Sequence, residues 1–256
     1  MDLQLTDRVA FVAGSSRGIG RAIASILLGE GCRVCITGRN TDAVDEATRV
    51  LSAQFGDKVF GVPGDLTDKT AIDDAFAAVS RKWGSLDIVV ANVGSGKGKP
   101  GWQQEDAEWI RLFNLNFFGT VRLVQAAIPY LQPRGGSILF VASIVAMEAT
   151  PAPLPYSAAK AALVNYSKNL SRTLACDEIR VNCLAPGNVL FDGGSWDYHL
   201  KERREEVEQY ISREVPQKRF GTPEEIAKFA AYLVSPASGF ATGGCYVIDG
   251  GQTRRV

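Results

Sequence analysis

The chain has 256 residues, of which 46% are hydrophobic and 22% are charged, proportions typical of a folded globular protein. Lys plus Arg and Asp plus Glu both total 28, and this zero formal charge argues against a nucleic-acid-binding protein and against a polybasic membrane anchor. The single histidine, His199, excludes a His-rich metal site, so no metal is expected.

Short apolar runs alternate with longer helical patterns along the whole chain. The predicted strands are 9–13, 34–37, 59–62, 86–91, 137–142, 180–185 and 245–248, and the predicted helices are 19–29, 41–55, 69–83, 103–131, 157–175 and 223–234. Continuous apolar strands that alternate with helices are typical of a parallel sheet covered on both faces. We therefore predict an α/β fold: a single Rossmann domain with a doubly wound, seven-stranded parallel sheet over residues 1–256.

One region, at about 188–215, breaks this alternation and is predicted to be a lid-like insertion, because long insertions in compact α/β domains often cover binding sites. Residues 188–199 are rich in glycine and aromatic side chains. Residues 201–214 are rich in charge and are expected to form an exposed helix. The next helix begins at Thr222, where a capping Thr, a Pro and two acids follow one another.

The first predicted strand runs directly into a glycine-rich turn with the spacing G-x-x-x-G-x-G. Its glycines, Gly14, Gly18 and Gly20, allow a sharp turn and a close approach of backbone N–H groups to a ligand. The helix that follows offers unpaired donors and a positive dipole end, which suit a pyrophosphate. The alternative is an ordinary strand–helix turn.

The residue after the second predicted strand indicates which dinucleotide is preferred. Arg39 stands where NAD-specific enzymes usually place an acid for the ribose 2′-hydroxyl, and a guanidinium suits a 2′-phosphate. Arg17, in the glycine-rich turn, can add a second positive charge. The sequence therefore predicts NADP(H) in preference to NAD(H), although Arg39 could also be a solvated surface residue.

Polar residues also follow the third and fourth predicted strands. Asp65 and Leu66 follow one, and Asn92 and Gly94 follow the other. Ligands bind at the carboxyl ends of strands in open α/β sheets, so these residues are candidates for the same site. Each could instead be a turn capped by its Asp or Asn.

Three side chains have the chemistry for hydride transfer to a carbonyl. Tyr156 and Lys160 are four residues apart on a predicted helix and share one face, and Ser143 follows the fifth predicted strand. The tyrosine can donate a proton to the alkoxide, and the serine can hydrogen-bond the carbonyl oxygen. The ammonium of Lys160 is expected to lower the pKa of Tyr156. An unrelated Tyr–Lys pair on a surface helix is the alternative.

In order and spacing these motifs resemble the short-chain dehydrogenases/reductases over nearly the whole chain, and in particular the β-ketoacyl carrier-protein reductases. The further matching positions are Asn92-Val93-Gly94, Asn116, Pro186-Gly187 and Asp249-Gly250-Gly251. The resemblance implies that Asn116, Ser143, Tyr156 and Lys160 are catalytic, with Asn116 in a proton relay through Lys160. It implies that the cofactor is held by Gly14, Ser16, Arg17, Gly18, Ile19, Gly20, Arg39, Asp65, Leu66, Asn92, Gly94, Tyr156, Lys160, Pro186, Gly187 and Val189.

The sequence departs from the family pattern at two places. Val93 replaces the usual alanine, and the Thr that often follows Pro186-Gly187 is absent, so that Val189 can offer only its backbone.

The resemblance implies an NADP(H)-dependent oxidoreductase acting on a small-molecule carbonyl or secondary alcohol, with 3-oxoacyl thioesters as one candidate. The alternatives are an NAD(P)-linked alcohol, sugar or steroid dehydrogenase of the same family, a non-catalytic nucleotide sensor and a methyltransferase that binds S-adenosylmethionine. A homodimer or homotetramer is expected through helices 103–131 and 157–175. The expected substrate wall comprises 95–100, 145–155 and 188–199, where Phe191, Trp196 and Tyr198 contact substrate or pack the lid.

The cysteines and the N-terminus predict a cytoplasmic protein. The five cysteines are odd in number and scattered, as is typical of a reducing compartment, and Cys32 and Cys35 are expected to be core thiols. Residues 1–5 lack the basic start and apolar run of a signal peptide, and the sequence has no apolar run of about 18 residues that would span a bilayer.

Overall fold

The computed structural model describes residues 1–99 and 101–254 and contains one sheet of seven parallel strands. The strands are β1 (Val9–Val12), β2 (Arg33–Gly38), β3 (Val59–Pro63), β4 (Ile88–Ala91), β5 (Gly136–Val141), β6 (Ile179–Pro186) and β7 (Cys245–Ile248). They lie in the order β3-β2-β1-β4-β5-β6-β7, so the strand order reverses between β1 and β4. The predicted fold class is confirmed, and every predicted strand is present.

Helices cover both faces of this sheet. The helices are α1 (Gly18–Gly29), α2 (Thr41–Phe55), α3 (Lys69–Trp83), α4 (Asp106–Phe113), α5 (Gly119–Leu131), α6 (Leu154–Leu174), α7 (Ser195–Glu202), α8 (Arg204–Glu214) and α9 (Pro223–Val234). Side chains of α1, α2 and α9 share one core with the sheet, and those of α3, α5 and α6 share the other. Among the described residues, no helix is long and apolar enough to cross a membrane.

The predicted helix over 103–131 is wrong in its continuity. A π-helical turn, Asn114–Phe118, separates α4 from α5. Within this turn the Asn116 side-chain amide donates to the Leu112 carbonyl at 3.0 Å, so a side chain takes up a backbone acceptor of the preceding helix. π-helical turns of this kind are frequent at functional sites.

The predicted single helix over 201–214 also requires correction. The chain already becomes helical at Ser195, and a break at Arg203 separates α7 from α8. A small separate core explains both helices, because Val207, Val215 and Phe220 are buried there and Trp196 packs against them. By contrast, the predicted start of α9 is confirmed: Thr222 and Glu225 form a complete capping box.

Candidate active site

A cavity of about 630 Å³ lies at the carboxyl ends of β1 to β5, on both sides of the reversal in strand order. Its volume falls within the range of roughly 300–1,000 Å³ that is usual for small-molecule and cofactor sites. The sequence-predicted residues that line it are Gly14, Ser16, Arg17, Gly18, Ile19, Arg39, Asp65, Leu66, Asn92, Gly94, Tyr156 and Lys160. As far as the described residues define it, Gly20, Asn116, Ser143, Pro186, Gly187 and Val189 lie outside the lining.

The glycine-rich turn is held by the neighbouring strands. Gly14 and Gly18 have φ values of +62° and +58°, a backbone region that favours glycine. The Gly14 N–H donates to the Thr37 hydroxyl at 3.1 Å, and the Asn92 side chain donates to the Gly14 carbonyl at 3.1 Å. A Cβ on Gly20 would stand 2.4 Å from the Gly14 oxygen, so Gly20 serves the close packing of α1 on this turn.

The ends of β2 and β3 supply the second part of the cavity. Arg39 is exposed and lines it, with no ion pair to any described residue. Asn40 lies beside Arg39 and caps α2 by accepting from the Ala43 N–H at 2.8 Å. Asp65 accepts from the Thr67 N–H and hydroxyl at 3.0 and 2.9 Å, so it forms a capped turn while it also lines the cavity.

The insertion over 188–215 closes on the glycine-rich turn. A Cβ on Gly18 would stand 2.8 Å from the Phe191 ring, and Arg17 Nη1 donates to the Gly193 carbonyl at 2.8 Å. Phe191 lines the cavity and packs against the first core. Trp196 stacks on Tyr210 instead, with a centroid distance of 5.2 Å, and therefore packs the insertion itself.

Tyr156 and Lys160 lie one turn apart at the start of α6. Lys160 is 4% exposed, and its Nζ donates to the Val141 carbonyl at 2.9 Å. The same Nζ is 6.0 Å from the centroid of the Tyr156 ring. Ser143 follows β5 directly after Ala142, and its side chain interacts with Tyr156. The structure thus brings Tyr156 and Lys160 together in the lining of the cavity, with Ser143 next to Tyr156 but outside that lining.

The expected effect of Lys160 on the pKa of Tyr156 is wrong for this structure. Burial raises the pKa of Tyr156 above its usual value, and hydrogen bonding to Ser143 lowers it in part. Burial also lowers the pKa of Lys160 to about 8. The cause is that Lys160 directs its ammonium to a backbone carbonyl, while both groups lose hydration. Tyr156 therefore stays protonated at neutral pH and can act as a proton donor.

Asn116 does not line the cavity but holds the backbone of Ser95, which does. It is fully buried, and its Oδ1 accepts from the Ser95 N–H at 2.9 Å while its Nδ2 donates to the Ser95 carbonyl at 3.1 Å. A Cβ on Gly94 would stand 2.6 Å from Asn116 Oδ1 and 3.1 Å from Lys160 Nζ. The absence of a side chain at Gly94 therefore leaves room for both of these side chains beside its backbone.

Some lining residues escaped sequence reasoning. Ala43 and Leu115 carry no chemical signal, and Leu115 reaches the cavity from the π-helical turn. Gly96 lies in the expected wall over 95–100, and a Cβ there would stand 3.2 Å from the Tyr156 ring. Pro100, the last residue of that wall, lies outside the described residues. The glycine run that follows Asn92 was the available signal for the contact with Tyr156.

Comparison with known proteins agrees with this geometry. A family model described as enoyl-(acyl carrier protein) reductase matches residues 13–253. The chain is 32% identical to the 3-oxoacyl-acyl-carrier-protein reductase FabG of Chlamydia trachomatis over 249 residues, which cover 97% of this chain and 98% of that protein. It is also 32% identical to a sorbitol dehydrogenase of Cereibacter sphaeroides, over 98% of this chain and 99% of that protein.

Among solved structures, the L-sorbose reductase of Gluconobacter frateurii complexed with NADPH and L-sorbose matches with a TM-score of 0.93 and 32% identity, over 100% of both chains. This structural match and the motifs that line the cavity agree with the match to the family model. The chain belongs to the short-chain dehydrogenase/reductase family and is an oxidoreductase that acts on CH–OH or carbonyl groups with NAD(P).

Proposed function

We propose that this protein is an NADPH-dependent carbonyl reductase that uses Ser143, Tyr156 and Lys160 in catalysis. One observation carries the proposal: three features line the same cavity. They are the glycine-rich turn, Arg39 just after β2, and the Tyr156–Lys160 pair at the start of α6. The bound NADPH in the similar L-sorbose reductase supports the choice of cofactor.

The residues present fit a dinucleotide. The open N-terminus of α1 and the left-handed glycines Gly14 and Gly18 suit a pyrophosphate, and Arg39 suits a 2′-phosphate. Asp65 and Leu66 would hold the adenine end, while Asn92, Gly94, Lys160 and the backbone of Val189 would hold the nicotinamide end. When bound, NADPH supplies the hydride.

The chain's own residues then handle the oxygen and its proton. The Ser143 hydroxyl hydrogen-bonds the substrate carbonyl oxygen and orients it towards Tyr156. Tyr156, protonated because burial raises its pKa, gives its proton to the oxygen as the alcohol forms. Lys160, whose Nζ lies 6.0 Å from the centroid of the Tyr156 ring, would bind the ribose of the nicotinamide. Asn116 fixes the Ser95 backbone that forms the adjacent wall.

Two substrate classes follow from the relatives. The match to FabG supports a 3-oxoacyl thioester, and the matches to L-sorbose reductase and sorbitol dehydrogenase support a ketose or polyol. We propose the 3-oxoacyl thioester first, because several relatives that match over 97% of this chain or more are 3-oxoacyl-acyl-carrier-protein reductases.

The insertion over 188–215 acts as a lid in this proposal, since Phe191 and Gly193 contact the glycine-rich turn. We also propose a cytoplasmic homodimer or homotetramer. Exposed apolar side chains on α4 and the π-helical turn support assembly, among them Ile110 at 61% and Phe118 at 45% exposure.

The experiment is a titration of the purified protein with NADPH and with NADH, followed by nucleotide fluorescence, before and after addition of 3-oxoacyl thioesters and ketoses. The proposal predicts tighter binding of NADPH and loss of its signal with one substrate class. If the protein bound S-adenosylmethionine and neither nicotinamide nucleotide, the result would favour a methyltransferase. Nucleotide binding without turnover of any carbonyl would favour a sensor.

A further inference from the structure

A second cavity, of about 140 Å³, lies at the opposite edge of the sheet, where the strands begin. Its lining includes Arg8, just before β1, Asp87, just before β4, Arg134, just before β5, and Arg180, near the start of β6. Its volume is well above the roughly 10–15 Å³ that one water requires. The NADPH-dependent function proposed above does not use this cavity.

Register places a hydroxyl beside one of these arginines. Ile88, Ser137 and Arg180 are paired across β4, β5 and β6, so their side chains stand in a row on one face of the sheet. Ser137 lines the cavity and is 2% exposed, and its Oγ has no hydrogen-bond partner among the described residues. Such an unpaired buried hydroxyl costs folding free energy, which a ligand in the cavity would recover.

The cavity carries an excess of positive charge. The carboxylate of Asp87 is already used: it accepts from Arg8 Nη1 at 3.0 Å and from the Val9 N–H at 2.8 Å. Arg134 is 3.8 Å from the same carboxylate, too far for a hydrogen bond. Three arginines therefore share one acid.

Arg180 is the arginine without an acid. Its guanidinium donates to the carbonyls of Leu233, Ser235 and Ala241 and to the Ser238 hydroxyl, at 2.8 to 3.1 Å. Within 1–99 and 101–254 it makes no ion pair with a carboxylate. These bonds orient the guanidinium but leave its charge uncompensated, and an arginine in a protein does not lose its proton.

We propose that this cavity is a binding site for a small tetrahedral oxyanion of the phosphate class. Arg134 and Arg180 would supply charge-assisted hydrogen bonds, and the Ser137 hydroxyl would donate a third bond from the floor of the cavity. The starts of β4 to β6 line the cavity on the sheet side, and Val234 and Pro236 line it on the other side. Its volume of about 140 Å³ favours the free ion over a larger phosphate ester.

The test is a titration of the full-length ¹⁵N-labelled protein with inorganic phosphate against sodium chloride at matched ionic strength, followed by the backbone amides of Ser137 and Arg180. Phosphate should shift these amides saturably. The Ser137→Ala and Arg134→Gln variants should each raise the Kd about tenfold or more, the effect expected for loss of one hydrogen bond to a charged group. Arg81→Gln removes an exposed arginine outside the cavity and should leave the Kd unchanged.

Phosphate can also bind at the glycine-rich turn, so the Gly18 amide is followed separately. Ser137→Ala removes a hydroxyl that has no partner and should fold at least as stably as the parent in chloride, which a thermal melt checks. Non-saturable shifts at Ser137 and Arg180, or equal phosphate affinity in parent and Ser137→Ala, would overturn the proposal. Tighter binding of glycerol 3-phosphate than of phosphate would identify an ester as the ligand instead of the free ion.

Discussion

The side-chain amide of Asn116 bonds to both backbone polar groups of Ser95, accepting from its N–H at 2.9 Å and donating to its carbonyl at 3.1 Å. This pair of bonds joins the π-helical turn to the segment that follows β4. Gly96 is next in that segment, and a Cβ there would stand 3.2 Å from the Tyr156 ring. The position of the wall beside Tyr156 therefore depends on a residue that does not itself line the cavity.

Asn116→Ala should destabilise the protein by about 1–3 kcal/mol, because it leaves the Ser95 groups and the Leu112 carbonyl without a partner. We also expect a lower kcat with a smaller change in the Kd of NADPH, since the wall beside Tyr156 loosens. Chemical denaturation and steady-state kinetics measure the two effects. Asn114→Ala is the matched control, as the described residues show no hydrogen bond to the Asn114 side chain. Equal effects of the two substitutions would contradict this role of Asn116.

Gly94→Ala should reduce both stability and activity. The added Cβ would stand 2.6 Å from Asn116 Oδ1 and 3.1 Å from Lys160 Nζ, so both side chains must move. Overpacking of this kind costs about 1–3 kcal/mol. Gly29→Ala at the end of α1 is the control: no atom lies within 4 Å of its Cβ, and we expect unchanged or slightly higher stability. Thermal melts of both variants measure stability, and an activity assay measures turnover. A fully active and stable Gly94→Ala protein would show that Asn116 and Lys160 do not lie this close to Gly94.

Burial of Lys160 should make stability depend on pH. Its pKa is lowered to about 8 from 10.5, so between these values the unfolded chain holds a proton that the folded chain has lost. Stability then rises with pH through this window, and the cost of burying the charge is complete below pH 8. Relative to Lys160→Met, the unfolding free energy of the parent should increase by about 3 kcal/mol from pH 8 to pH 10.5. Urea titrations across this range measure it, and parallel curves for the two proteins would show that Lys160 keeps its ordinary pKa.

Arg39→Asp should reverse the nucleotide preference. The substitution removes the guanidinium proposed for the 2′-phosphate and adds an acid suited to a ribose hydroxyl. We expect the Kd of NADPH to rise about tenfold to a hundredfold while the Kd of NADH falls, as measured by nucleotide fluorescence. Arg81→Asp changes the net charge equally at an exposed position outside the cavity and should alter neither Kd. An unchanged preference in Arg39→Asp would mean that Arg39 does not contact the 2′-phosphate.

The fold could be predicted because the strands are short, mainly apolar segments that alternate with longer helical patterns. The capping box at Thr222 is a local signal, and α9 begins there. The π-helical turn could not be predicted, because it depends on bonds between Asn116 and the distant Ser95. The start of α7 at Ser195 depends in the same way on the packing of Trp196 against Phe220.

Only part of the candidate site could be predicted, because the rest depends on contacts between residues that are distant in the chain. Spacing indicates that Tyr156 and Lys160 share a helix face, but it does not reveal how deeply they are buried. Burial determines the direction of both pKa shifts, and Lys160 turns out to bond to Val141, 19 residues away in the chain. Phe191 could be assigned to the substrate wall from the aromatic and glycine content of residues 188–199. Its position against Gly18 depends on the path of the insertion over 188–215.

In the proposed NADPH-dependent carbonyl reduction, Tyr156 supplies the proton. The most direct measurement compares parent and Tyr156→Phe in NADPH oxidation with the substrate found in the panel, together with the Kd of NADPH for each. We expect a loss of at least about 10²-fold in kcat with a nearly unchanged Kd, because the phenol acts mainly in the transition state. A Tyr156→Phe protein with the kcat of the parent would contradict this role of Tyr156.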